Sequence, residues 1–213
     1  MNIIKKPFRY TNFHSVYWLI GINILIFIAY QFLGAEIRFY MTIFLSMIPA
    51  VVIQLKWIWT FITYMFIHSG INHILFNMLA LFIFGLHVEK QMGSKEFLLY
   101  YFLTGTLAGF FSFLVYCFTG NLNVTLVGAS GAIYAVQFAY AVLYPNSVVY
   151  IMGILPLRAP IMVLGFTALS LIFMITGAQG NVAHLTHLAG FAFGWLYFMV
   201  RFGVDPWRRL TGR

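Results

Sequence analysis

The chain has 213 residues, 62% of them hydrophobic and only 8% charged. Soluble domains carry about 25% charged residues, so this composition excludes a water-soluble globule and reads as a single integral-membrane domain. The formal net charge of +8 does not build a nucleic-acid surface, because the basic residues flank apolar segments instead of forming one dense patch.

In chain order, Lys5, Lys6 and Arg9 precede a long apolar run with the outline of a signal peptide. No small-residue cleavage site follows at the expected distance, so the run is read as a retained span. A crossing needs about 20 apolar residues, and six segments can be placed, at roughly 16–34, 71–88, 97–117, 129–144, 160–176 and 184–201. Residues 35–70 are too interrupted for a clean span, with Arg38, Pro49, Lys56, Trp57 and Trp59 among apolar neighbours. They predict a long first loop in the membrane interface, made of short amphipathic or re-entrant helices with aromatic anchors. The remaining connections read as short loops. Cys117, the single cysteine, has no internal disulfide partner and reads as a small apolar packing residue.

The expected fold class is therefore an all-α membrane protein, a six-transmembrane-helix bundle with a long interfacial first loop. Its parts are an N-terminal segment 1–15, a membrane domain 16–201 and a basic tail 202–213. With six spans, ten Lys and Arg fall on the side of both termini, against Arg38 and Lys56 on the other. That asymmetry predicts cytoplasmic termini.

Spans two, four and six then run from outside to inside. His73 lies 17 residues before Lys90, Ser130 lies 14 before Tyr144, and His187 lies 14 before Arg201. At 1.5 Å per residue all three sit roughly 21–26 Å above the inner boundary, in one layer just below the outer surface of a core about 30 Å thick. Intramembrane polar groups are costly and mark function by default, with interhelical hydrogen bonding as the plain alternative.

Ser130 stands in Gly128-Ala129-Ser130-Gly131 at a helix start, where small neighbours leave the hydroxyl accessible and unpaired N–H groups favour an anion. His187 shares a helix face with Gly190 and Gly194, a Gly-x-x-x-Gly seam that draws another backbone close. Span four is the natural partner, which sets Ser130 beside His187 as nucleophile and base. Glu36, Glu89, Glu96 and Asp205, the only carboxylates, all fall at segment ends, so the expectation is a Ser–His dyad instead of a triad. Tyr134, one turn after Ser130, is placed to stack on the imidazole. His73 and Asn77, four residues apart on one face, supply donors suited to an oxyanion. His184 competes with His187 for the role of base, one turn earlier.

The string His73-Ile74-Leu75-Phe76-Asn77-Met78, continuing to Val88-Glu89-Lys90, then Gly128-Ala129-Ser130-Gly131, then Ala183 to Gly194, resembles the rhomboid intramembrane serine proteases over about residues 57–201. The resemblance implies Ser130 as nucleophile and His187 as base. It implies His73 and Asn77 as oxyanion stabilisers, Tyr134 as the ring stacked on the base, a structural role for Glu89, and a loop-packing or water-retaining role for His68. One departure stands out: many rhomboids carry Trp-Arg in the first long loop, whereas Trp59 is followed here by Thr60.

The expected function is an intramembrane serine endopeptidase that needs no cofactor or metal. It would act on single-pass membrane proteins near the outward ends of their spans, with access around span five or the first loop. The short N-terminal segment and compact size predict a bacterial cytoplasmic membrane, with an archaeal one as the alternative. Two rivals are a metalloenzyme using His68, His73, His184 and His187, which lacks a His-Glu-x-x-His pattern, and a non-catalytic relative that binds unstable membrane proteins.

Overall fold

The computed structural model describes residues 6–151, 153–176 and 181–211, with backbone alone for residues 181–183. The chain is mostly helical. Helix α1 is Ser15–Phe32, α2 Ala35–Leu45, α3 Pro49–Leu55 and α4 Thr60–Thr63, followed by a 3₁₀ turn at Tyr64–Phe66. Helix α5 (Ile71–Ala80) continues through a π turn, Leu81–Gly85, into α6 (Leu86–Met92). Then come α7 (Ser94–Phe118), α8 (Ser130–Leu143), strands β1 (Val148–Ile151) and β2 (Leu155–Arg158), and α9 (Ala159–Thr176). Helix α10 (Asn181–Tyr197) ends in a second π turn, Phe198–Phe202, ahead of α11 (Pro206–Thr211).

Among the described residues, four helical runs are long and apolar enough to cross a membrane: Ser15–Phe32, Ile71–Met92, Ser94–Phe118 and Ala159–Thr176. Their outward faces carry large exposed apolar side chains, among them Trp18, Leu25, Phe76 and Leu164, which hydrocarbon solvates and water would not. The protein is an integral, multi-pass membrane protein.

Helix α8 is different. Its 14 residues extend only about 21 Å, short of the hydrocarbon thickness. Almost every side chain along it is buried, from Gly131 to Val142, because α7 and α10 pack along its length and the α5–α6 run covers another side. A helix enclosed by protein need not match the bilayer by itself. The α8–α10 contact is the tightest in the bundle. A Cβ built on Gly190 would lie 2.1 Å from the Gly131 carbonyl oxygen, so the two backbones touch. Gly194, one turn on, meets the Tyr100 hydroxyl and Ala135 Cα in the same way.

Two carboxylates close the opposite end of the bundle. Glu89 on α6 accepts from the Ser15 and Val16 backbone N–H groups at 2.5 and 3.1 Å and from the Ser15 and Ser94 hydroxyls at 2.7 and 2.5 Å. It thus caps α1 from a distant element, satisfying donors that a helix start leaves unpaired. Glu96 on α7 holds Arg201 through two hydrogen bonds, at 2.7 and 3.0 Å, and also accepts from the Tyr197 hydroxyl and the Phe8 N–H.

The connection between α8 and α9 departs from the short loop expected there. It is a two-stranded antiparallel hairpin pairing Val148 with Arg158 through Ile151 with Leu155. Val148-Val149-Tyr150-Ile151 is a β-branched and aromatic run, Gly153 turns at φ +74°, and Pro156 is tolerated because a two-stranded ribbon consists of edges.

Candidate active site

Three helix starts and one loop converge on a groove of about 920 Å3 that opens beside the N-terminus of α8. The first loop sets that N-terminus. Met47 and Leu126 exchange backbone hydrogen bonds of 3.2 and 2.9 Å, Ala50 N–H reaches Leu122 O at 2.9 Å, and Gly128 N–H reaches Tyr64 O at 2.9 Å. Tyr64 is anchored in turn, its hydroxyl donating to Gly105 O on α7 at 2.8 Å. Ser130 therefore opens α8 from a braced strand of chain, with the first-turn N–H groups free of intrahelical acceptors.

The Ser130 hydroxyl and His187 Nε2 are 2.8 Å apart. The Gly131–Gly190 backbone contact is one turn from the histidine and fixes this approach. The Tyr134 ring lies over the imidazole at 4.0 Å between centroids and 8° between planes, so stacking fixes the plane of the imidazole. His187 Nδ1 has no hydrogen-bond partner among the described residues. Glu89 and Glu96 are committed at the far end; Glu89 sits 16 residues beyond His73, about 24 Å along the same helical run. His184 contacts His187 edge-on at 5.9 Å and Phe173 at 5.1 Å, away from the Ser130 hydroxyl contact.

His73 and Asn77 on α5 reach the same place. A Cβ on Gly128 would lie 2.5 Å from His73 Nε2 and 3.8 Å from Asn77 Nδ2. Gly128 is therefore required twice, by its φ of +107° and by the space these two side chains occupy. Ser69 Oγ is 3.0 Å from His73 Nδ1. With the hydroxyl donating, the ring proton sits on Nε2, facing Gly128 and the start of α8. His68 is buried edge-on to His73 at 5.1 Å. Thr60 is fully buried in the first loop, its hydroxyl donating to Trp57 O at 2.7 Å. Among the described residues, no three His, Cys, Asp or Glu side chains gather as a metal-ligand group.

Sequence reasoning passed over four side chains here. Ser69 was not weighed, although it sits four residues before His73. Thr186 and Ser112 hydrogen-bond at 2.7 Å, pinning α10 to α7 behind the Ser130–His187 contact. The signal for that contact was the small-residue stripe Gly105, Ala108, Gly109, Ser112 on α7. Gln137 lines the groove two turns below Ser130 and belongs to no motif.

Comparison with known proteins agrees with this architecture. The rhomboid domain family model matches residues 55–203. Rhomboid-like protein 11, chloroplastic, of Arabidopsis thaliana is 34% identical over 144 residues, 67% of this chain and 46% of that protein. RHOMBOID-like protein 12, mitochondrial, of the same plant is 31% identical over 148 residues, 62% and 43% of the two chains. Rhomboid protease AarA of Providencia stuartii is 29% identical over 150 residues, 64% and 53%. The matched region thus spans about half the length of these relatives. A family match that takes in α5 through α10, and with them every element of the site, places the chain in the rhomboid family.

Proposed function

We propose that this protein is an intramembrane serine endopeptidase working through a Ser130–His187 dyad. The observation that carries the reading is the 2.8 Å contact between the two side chains, made at the mouth of a groove in a membrane-embedded bundle. His187 Nε2 accepts the Ser130 proton as the oxygen attacks the scissile carbonyl. The new C–O bond turns that carbonyl into an oxyanion, which the Ser130 N–H, His73 Nε2–H and Asn77 Nδ2–H stabilise. The imidazolium, steadied by Tyr134, then protonates the leaving amine. Water, activated by the same imidazole, hydrolyses the acyl-enzyme and restores Ser130.

The same reading sets the protein in its bilayer. The helices α1, α5–α6, α7, α8, α9 and α10 act as six spans, both termini face the cytoplasm, and residues 35–70 lie along the outer interface. Trp57 and Trp59, stacked at 5.4 Å with Phe44 beside them, suit that interface. Residues 1–15 and 202–213 flank the membrane domain on the cytoplasmic side. Substrates are single-pass membrane proteins cut near the outward end of their spans, where Gly, Pro or other helix-weakening residues expose the peptide bond.

The test is cleavage of a labelled transmembrane peptide by purified protein in detergent, with a chelator present. Wild type should cleave, and Ser130→Ala should not. Loss of activity with chelator points to the metal rival, and no turnover across a broad peptide panel points to a binding role.

A further inference from the structure

Gln137 lies on the stripe of α8 that carries Ser130 and Tyr134, at positions i, i+4 and i+7. It is about 10 Å below the serine along the helix. The residue is 7% exposed, and its Oε1 has no hydrogen-bond partner among the described residues. The groove beside Ser130 and His187 also takes in Gln137, and its lining includes the apolar side chains of Ala80, Phe84 and Phe166 together with Val149, Tyr150 and Ile151 of β1. A buried carbonyl oxygen without a donor costs free energy, and a polar side chain lining a cavity at membrane depth marks function by default. None of the catalytic steps reaches this far, so the amide is spare to them.

We infer that Gln137 is a specificity subsite for the substrate's membrane segment. It hydrogen-bonds one polar side chain, a hydroxyl or carboxamide from Ser, Thr, Asn or Gln, on the membrane-buried side of the scissile bond. The amide offers both a donor and an acceptor, so it pairs with either class, while the apolar walls pass the flanking residues. The distance from the dyad corresponds to about three residues if the segment is extended, or about seven if it is helical. This inference rests on the protease reading above.

The experiment is a positional scan. A single Asn is moved through a leucine-rich transmembrane peptide, from two to eight residues beyond the cut, and kcat/KM is compared with the all-Leu parent. Wild type should favour Asn by roughly 3- to 15-fold within a window of one or two positions, carried by KM more than kcat. In Gln137→Met and Gln137→Leu the ratio of Asn to Leu peptide should fall to about 1, a readout from which any change in overall rate cancels. If these variants cleave too little to measure, Gln137→Met in a Ser130→Ala background is tested by photocrosslinking the two peptides. The Asn preference in capture should again vanish. A window that persists in the Gln137 variants overturns the subsite, as does a wild type that cleaves every peptide alike while Ser130→Ala stays inactive. A wild type that cleaves no peptide at all overturns the protease reading itself.

Discussion

At the scale of single residues, the site depends on a few side chains whose positions are over-determined. In the proposed mechanism Tyr134 acts through its ring, so Tyr134→Phe should keep kcat near wild type, whereas Tyr134→Leu should lower it about tenfold, the worth of a stacked aromatic contact. Gly128→Ala places a methyl group beside His73 Nε2 and Asn77 Nδ2 on a backbone turned to φ +107°. It should cost roughly 10²- to 10³-fold in kcat, as loss of an oxyanion donor does, with little change in KM. Steady-state kinetics on one peptide separates these outcomes. Ser130 and His187 were legible in the chain because each sits among small residues inside hydrocarbon-grade sequence, at matching depth. Gln137 was not, since one glutamine in an apolar helix reads the same whether it faces a groove or a neighbour. Only the packed structure shows which.

At the scale of elements, the α8–α10 seam sets the distance between Ser130 and His187. Gly190→Ala would drive a methyl group to 2.1 Å from the Gly131 carbonyl, and backbone cannot yield as a side chain does. The helices must separate, so stability should fall by about 1–3 kcal/mol and proteolysis should fall with it. Denaturant unfolding in detergent measures the first and peptide cleavage the second. Thr186→Val removes the hydrogen bond to Ser112 and should cost about 1 kcal/mol with the dyad in place. The seam itself was readable from Gly190 and Gly194, and the helix positions were readable from hydropathy. The β1–β2 hairpin was not: two four-residue apolar strands between long apolar helices give no distinguishing period, and only the β-branched composition and Gly153 hinted at it.

Across the whole molecule, polar anchoring is divided between two ends. The groove end holds the histidines, Ser130 and Asn77, while the opposite end is tied by Glu89 and by the Glu96–Arg201 pair. Arg201→Leu strands a buried carboxylate and should destabilise by about 3–5 kcal/mol. Glu96→Gln, which keeps hydrogen-bonding capacity without the buried negative charge, should cost less. Thermal unfolding of both variants in detergent, beside residual cleavage at equal folded fraction, should show stability lost and chemistry kept. The placing of the acidic residues at segment ends foresaw that these carboxylates lie far from His187, but not that each acts as a knot joining elements distant in sequence.

The cap on α1 has a consequence for how the chain is made. Ser15 and Val16 lean on a carboxylate 74 and 73 positions later, so during synthesis the leading helix gains this cap only once the ribosome has delivered that glutamate, with water the partner of its first N–H groups until then. Biogenesis of this protein is therefore a closing of a circle, and a nascent polypeptide halted before residue 89 should hold its first span loosely enough for proteases or insertion factors to notice.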